Sequence, residues 1–238
     1  MTDDHDDFTL PYGLGGLPSP PDPNDFPAEL DSALTLPVRF LLRGIPPVLN
    51  QHDLPECGGY SAAGIKTVQE KADQHGWLAF DPHWIYRIAQ IYDGVPMPHV
   101  GTTARGVCKA LMKVGPRITG KPGTEALHRI ASYEAVPWTY DAIKRSIWQY
   151  RTPVLIGAAW YRSWFEPKRG VMGAPDVQAG GHLLWAWAWD DKIEGGSLLL
   201  QNSWGVYPGS VNGRVYAPAK WFVPAIHDAW RLNDIRGD

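Results

Sequence analysis

The spacing of apolar residues changes part-way along this chain, from a helical period to an extended one, and that change limits the folds open to it. After Cys57, the residues Tyr60, Ala63, Gly64, Thr67, Val68 and Ala72 fall at i, i+3, i+4, i+7 and i+8 spacing and share one helix face. Asp81-Pro82, a cap followed by proline in the first turn, opens a second helix that turns Ile85, Ile88, Ala89 and Tyr92 inward and stops near Gly94. A third starts at Thr102 or Thr103, buries Val107, Ala110, Leu111 and Val114, and ends at Gly115. Ile143, Ile147 and Trp148 place a fourth over Tyr140–Tyr150. Beyond it come apolar strand runs at 153–160, 182–189 and 197–201 and a shorter one at 214–217. Trp185, Trp187 and Trp189 alternate with alanine, the period of a strand with indoles on one face. The order predicts an α+β, two-lobed fold: a helical lobe over about 50–125 and a mainly antiparallel β lobe over about 126–238.

Residues 1–35 read differently. The first eight are acidic, without the apolar run of a signal peptide, and the prolines and glycines between Pro11 and Pro27 prevent a helix or a central strand. An extended lead-in follows, expected to float or to lie along a surface, where a partner could contact it. Residues 36–48 read as an edge strand entering a turn, the start of a domain spanning 36–238. The chain's 238 residues suffice for one sizeable core. A net charge of -3 and the lack of a dense Lys/Arg stripe argue against nucleic acid as partner. No apolar run is long enough to span a bilayer, so no membrane association and a cytoplasmic location are expected. Two cysteines make no disulfide framework, and Cys108, between Val107 and Ala110, reads as a small buried hydrophobe.

Cys57 is the residue with chemical promise. At the tip of a helix, unpaired N–H groups and the helix dipole favour a thiolate, and Gly58 and Gly59 leave room beside the sulfur. His182, after Gly180-Gly181 at a strand start, can accept the thiol proton. Asn202 can hold the far ring nitrogen and fix the tautomer, with Trp204 covering that bond. Gln51, six positions before Cys57, can aim an N–H at a developing oxyanion, with the Cys57 N–H as second donor. Gly59-Tyr60-Ser61-Ala62-Ala63 comes close to a serine-nucleophile elbow, but no strand precedes it. No metal or nucleotide motif occurs, so no metal and no cofactor are expected.

Gln51, Cys57, His182 and Asn202-Ser203-Trp204-Gly205 resemble the Gln, Cys, His and Asn of papain-like (family C1) cysteine peptidases. Pro47-Val48-Leu49-Asn50-Gln51 and Tyr60-Ser61-Ala62 resemble that family's segments on either side of the nucleophile. The likeness runs from about Leu36 to Phe222. It implies a papain-like fold with its site between two lobes and a protein or peptide substrate. Gly58, Gly181, Trp204 and Trp164 are the residues expected to contact that substrate. The Pro/Asp-rich lead-in is similar to that of bacterial and bacteriophage members, which implies such an origin and no long helical propeptide. The chain departs from the family at Pro55-Glu56-Cys57-Gly58, where Gly-Ser-Cys-Trp is usual. A carboxylate beside the thiol opposes thiolate formation unless it is turned away. Two other outcomes fit the same residues: a virion- or assembly-associated protein that keeps the scaffold with little or no turnover, and an endopeptidase acting on peptidoglycan crosslinks.

Overall fold

A computed structural model describes residues 10–73, 75–94 and 101–235; the acidic first eight residues lie outside them. Strands β1 (Gly16–Leu17), β2 (Arg39–Leu41), β3 (Thr102–Thr103), β4 (Ile130–Ala135), β5 (Val154–Tyr161), β6 (Gln178–Asp190), β7 (Ser197–Gln201), β8 (Arg214–Pro218) and β9 (Ile226–Asp234) alternate with helices. These are α1 (Cys57–Ala72), α2 (Pro82–Asp93), α3 (Ala104–Lys113), α4 (Tyr140–Tyr150) and the short α5 (Ala219–Phe222). The second half folds into an antiparallel sheet of order β4-β9-β5-β6-β7-β8, with β2 added alongside β6.

The sheet is buried on both faces. One carries α1, α2 and α3, whose Ile65, Ile85 and Leu111 pack with Leu155, Leu183, Trp185 and Trp230. The other carries α4, with Ile143 and Ile147 against Val154, Ile156, Leu184 and Leu200. The tryptophan run of β6 does not keep to one face. Trp185 and Trp187 join the helical side, whereas Trp189 joins the other, because the β6–β7 register shifts between Ala186 and Ala188. A bulge there inserts one residue and turns the later side chains over.

Local chemistry sets the helix ends. The Asp81 carboxylate accepts the Trp84 N–H at 3.1 Å, and Gly94 closes α2 with φ of 65°, a conformation in which glycine carries no steric cost. Thr103 caps α3 through Gly106 N–H. Helix α1 differs from the amphipathic element read from its spacing. Cys57 through Glu70 are all buried, since the helix runs through the middle of the molecule. Its charged residues are therefore paired inside: Lys66 Nζ sits 2.5 Å from Asp234 and 3.1 Å from Glu70, and Glu70 also holds His75 and His128. Lys66→Ala should destabilise the fold by about 3 kcal/mol or more, because two carboxylates then stay buried without their cation; denaturant unfolding measures it.

The lead-in does not float. Asp25 grips the Arg105 guanidinium of α3, Ser19 N–H donates to Asp228, and Ala28 N–H donates to the Ala135 carbonyl. Upstream of these anchors, β1 pairs in parallel with β3, which carries residues 13–17 between the helices and the sheet edge. No described helix is long and apolar enough to cross a membrane.

Candidate active site

Cys57 is the first residue of α1, as its sequence context requires, and its sulfur accepts the Leu183 N–H of β6 at 3.3 Å. The N–H groups of Cys57 and Gly58 also face the sulfur from the helix tip. Residues 49–51 run beside 203–205: Gln51 N–H donates to Ser203 carbonyl at 2.7 Å and Gly205 N–H to Leu49 carbonyl at 2.9 Å. That pairing brings the two halves of the sequence motif together.

His182 Nε2 lies 2.8 Å from Asn202 Oδ1, and the same oxygen accepts the Ser203 backbone N–H at 2.7 Å. A backbone N–H is always a donor, so the atom between them is the amide oxygen and His182 must carry its proton on Nε2. The neutral ring then presents a lone pair on Nδ1. That nitrogen is buried and has no hydrogen-bond partner among the described residues. Trp204 covers the His182–Asn202 bond, its ring 4.7 Å from the imidazole, and Trp160 closes the other side at 4.9 Å.

The Gln51 amide is held at both ends. Ser203 Oγ donates to its Oε1, while Nε2 donates to Leu54 carbonyl at 2.6 Å and to Gly13 carbonyl at 3.1 Å. Ser203 was not legible as part of the site, although it stands inside the Asn202–Gly205 segment; a hydroxyl next to a buried amide is the signal that would have found it.

Gly13 belongs to the lead-in, which threads the groove over these residues. Gly13 carbonyl takes the N–H groups of Gln51 and of Trp204 Nε1, at 3.1 and 3.2 Å. Gly15 N–H donates to Gly181 carbonyl at 3.2 Å, and Thr102 N–H donates to Gly15 carbonyl at 2.9 Å. Tyr12 stacks on Trp204, 4.8 Å between centroids and 14° between planes. Under this cover Gln51, Cys57 and His182 are each 0% exposed. Burial pushes the thiol up to about 11 and the imidazole down to about 4, so both groups are neutral with the groove filled.

Two expected contacts fall elsewhere. A Cβ on Gly58 would meet Thr102, Leu183 and Val107 within 3 Å, so its space is taken by core packing rather than left beside the sulfur. Trp164 is buried among Trp160, Tyr161 and Phe222, with its N–H on Gly173 carbonyl, and it supports the wall from behind. Its neighbour Phe165 stacks on Trp204 at 5.2 Å. Gly181 and Trp204 do line the groove. The Glu56 carboxylate lies against the His83 ring of α2 and does not stand alone beside the thiol.

No protein-family model and no curated sequence matches this chain. Solved structures do. Xylellain, a cysteine protease from Xylella fastidiosa, superposes with TM-score 0.85 at 20% identity, over 95% of this chain and 97% of that one. The fold is papain-like. A procathepsin B from Trypanosoma congolense superposes at TM-score 0.71 and 13% identity, over 88% of this chain and 82% of its own. A cysteine protease of Carica candamarcensis gives TM-score 0.65 at 15% identity, over 84% of this chain and all of its own. In a papain-like frame the groove occupied by residues 12–17 is the cleft between the helices and the sheet.

The lead-in can be displaced by one methyl-bearing side chain. A Cβ on Gly15 would stand 2.2 Å from Pro55 carbonyl oxygen, and overpacking of this kind costs about 1–3 kcal/mol. Gly15→Val should therefore raise the rate of Cys57 alkylation by roughly 10- to 100-fold through a larger open fraction. Its pH dependence gives the sign. In the wild type, reactivity climbs as pH rises toward about 11. Once the groove is wet and Nδ1 can take the proton, the climb moves to lower pH. Iodoacetamide labelling followed by peptide mapping measures both.

Proposed function

We propose that this protein is a cysteine peptidase, cleaving peptide or isopeptide bonds through a thioester on Cys57, and that its lead-in keeps it latent. With the groove open, His182 Nδ1 takes the Cys57 proton and the thiolate attacks the carbonyl carbon. The tetrahedral oxyanion is held by Gln51 Nε2–H and Cys57 N–H. On collapse the C–N bond breaks and the leaving amine receives the proton from His182. Water, deprotonated by the same imidazole, then attacks the thioester and releases the acid and the free thiol. All proton transfers use side chains already described, so the scheme calls for no cofactor. The neighbouring structures bear the name cysteine protease, which supports the reading at the level of fold.

One observation carries the proposal: the bond from His182 Nε2 to Asn202 Oδ1 leaves Nδ1 as an unpaired base in the same groove as the Cys57 sulfur and the Gln51 amide. The test is a mixed peptide library incubated with Gly15→Val protein and with the same protein carrying Cys57→Ala. New termini should arise only with the first. Equal product patterns, or none while Cys57 alkylates readily, would refute a hydrolase.

A further inference from the structure

At the adjacent Gly15 and Gly16 the groove is walled by backbone and leaves no room for a β-carbon, whereas Leu14 just before them carries its side chain over Gly180. On the lead-in, a Cβ at Gly13 would stand 2.1 Å from Leu54 carbonyl oxygen, at Gly15 2.2 Å from Pro55 oxygen, and at Gly16 2.6 Å from the His182 carbonyl carbon. The opposing wall is stripped in the same way. A Cβ on Gly101 would meet Gly15 oxygen at 2.2 Å, and one on Gly181 would meet Gly16 oxygen at 2.0 Å. These walls have little freedom to retreat. Leu54 is tied to Gln51 by a hydrogen bond in each direction, Pro55 leads directly into the buried α1, and His182 pairs with Ala158 within the sheet. Before Gly15 and Gly16 the lead-in's side chains lie on apolar ground: Tyr12 on Trp204 and Tyr207, and Leu14 over Gly180.

We infer that the slot beside Cys57 selects substrates with glycine on both sides of the cleaved bond, flanked by large hydrophobic residues. The inference rests on the peptidase reading and names its substrate class. Whichever way a substrate lies, a β-carbon on either side of the reacting carbonyl enters the same narrow stretch. His182 Nδ1, in this buried neighbourhood, is among the polar atoms without a partner among the described residues. A glycyl-glycine bond meets all three requirements: no Cβ, donors and acceptors for Thr102 N–H and Gly181 carbonyl, and a carbonyl for Gln51.

The experiment uses full-length Gly15→Val protein, with Gly16→Val as a second opened form should the first fail to fold. Each is given the capped peptide Phe-Leu-Gly-Gly-Tyr-Leu, its two single Gly→Ala versions and the double Ala version, alongside the mixed library. Cleavage between the glycines is expected, with each alanine lowering kcat/KM by about tenfold or more. Cleavage of the alanine peptides at the same rate, or library cuts at residues with large side chains, would overturn the glycine selection while leaving the peptidase reading intact. A protein that alkylates readily at Cys57 yet cuts neither set would sink both.

Discussion

His182→Ala, made in the Gly15→Val background, will lower kcat for peptide hydrolysis by about 10⁴-fold or more. In the proposed scheme its Nδ1 accepts the thiol proton and later returns it to the leaving amine, and the Asn202 and Gln51 amides cannot act as bases near neutral pH. The loss should be shared rather than summed with that of Cys57→Ala. Removing either member of a thiol–imidazole pair disables the same step, so the double variant should fall no further than the worse single one. Asn202→Ala should do less, because it frees the ring to rotate and change tautomer but leaves a base in place. Steady-state kinetics of these four variants and their Gly15→Val parent, with alkylation rates for those that keep Cys57, give the comparison. A His182→Ala enzyme with near-normal kcat would remove the imidazole from the mechanism.

Most of what positions the site was legible in the sequence where local chemistry and periodicity agree. The caps Asp81 and Thr103, the span Tyr140–Tyr150 and the strand Ser197–Gln201 come out as read, because each rests on interactions within a few residues. Strands β4 and β9 were not anticipated. Ile130–Ala135 alternates weakly, and Ile226–Asp234 mixes His, Asp, Arg and Asn with its apolar residues. Those polar groups are satisfied by partners far away in sequence, such as Ser19 with Asp228 and Lys66 with Asp234, so no local pattern shows that the strand is central. The depth at which the lead-in lies is hidden from the sequence for a related reason. Prolines and glycines do exclude helix and central strand there, but an extended segment can also be buried when its backbone finds donors and acceptors in a groove, as Gly13 and Gly15 do.

The same contrast explains the electrostatics. From sequence, the helix tip favours a thiolate, and the N–H groups of Cys57, Gly58 and Leu183 do pull in that direction. Desolvation by burial is the larger effect and reverses the outcome in this closed arrangement. In the proposed latent form water and substrate are excluded together, with the His182–Asn202 and Ser203–Asn202 hydrogen bonds already in place.

Gln51→Ala in the opened protein should reduce kcat by about 10²–10³-fold while KM changes little. The side chain is aimed before substrate arrives: Ser203 fixes its oxygen, Leu54 takes one amide proton, and the other points into the groove at the Gly13 carbonyl. A neutral peptide carbonyl gains little from that proton, whereas the oxyanion formed on attack gains a great deal, so the loss appears in the transition state. In the full wild-type background the same substitution acts in the opposite sense on a second readout. It removes one of the two donors holding Gly13, so the lead-in should dock less firmly and Cys57 should alkylate faster. Slower turnover with faster labelling is a combination that general destabilisation does not produce in a protein whose unfolding midpoint is unchanged. A parallel fall in both rates would mean that Gln51 serves the fold and not the oxyanion.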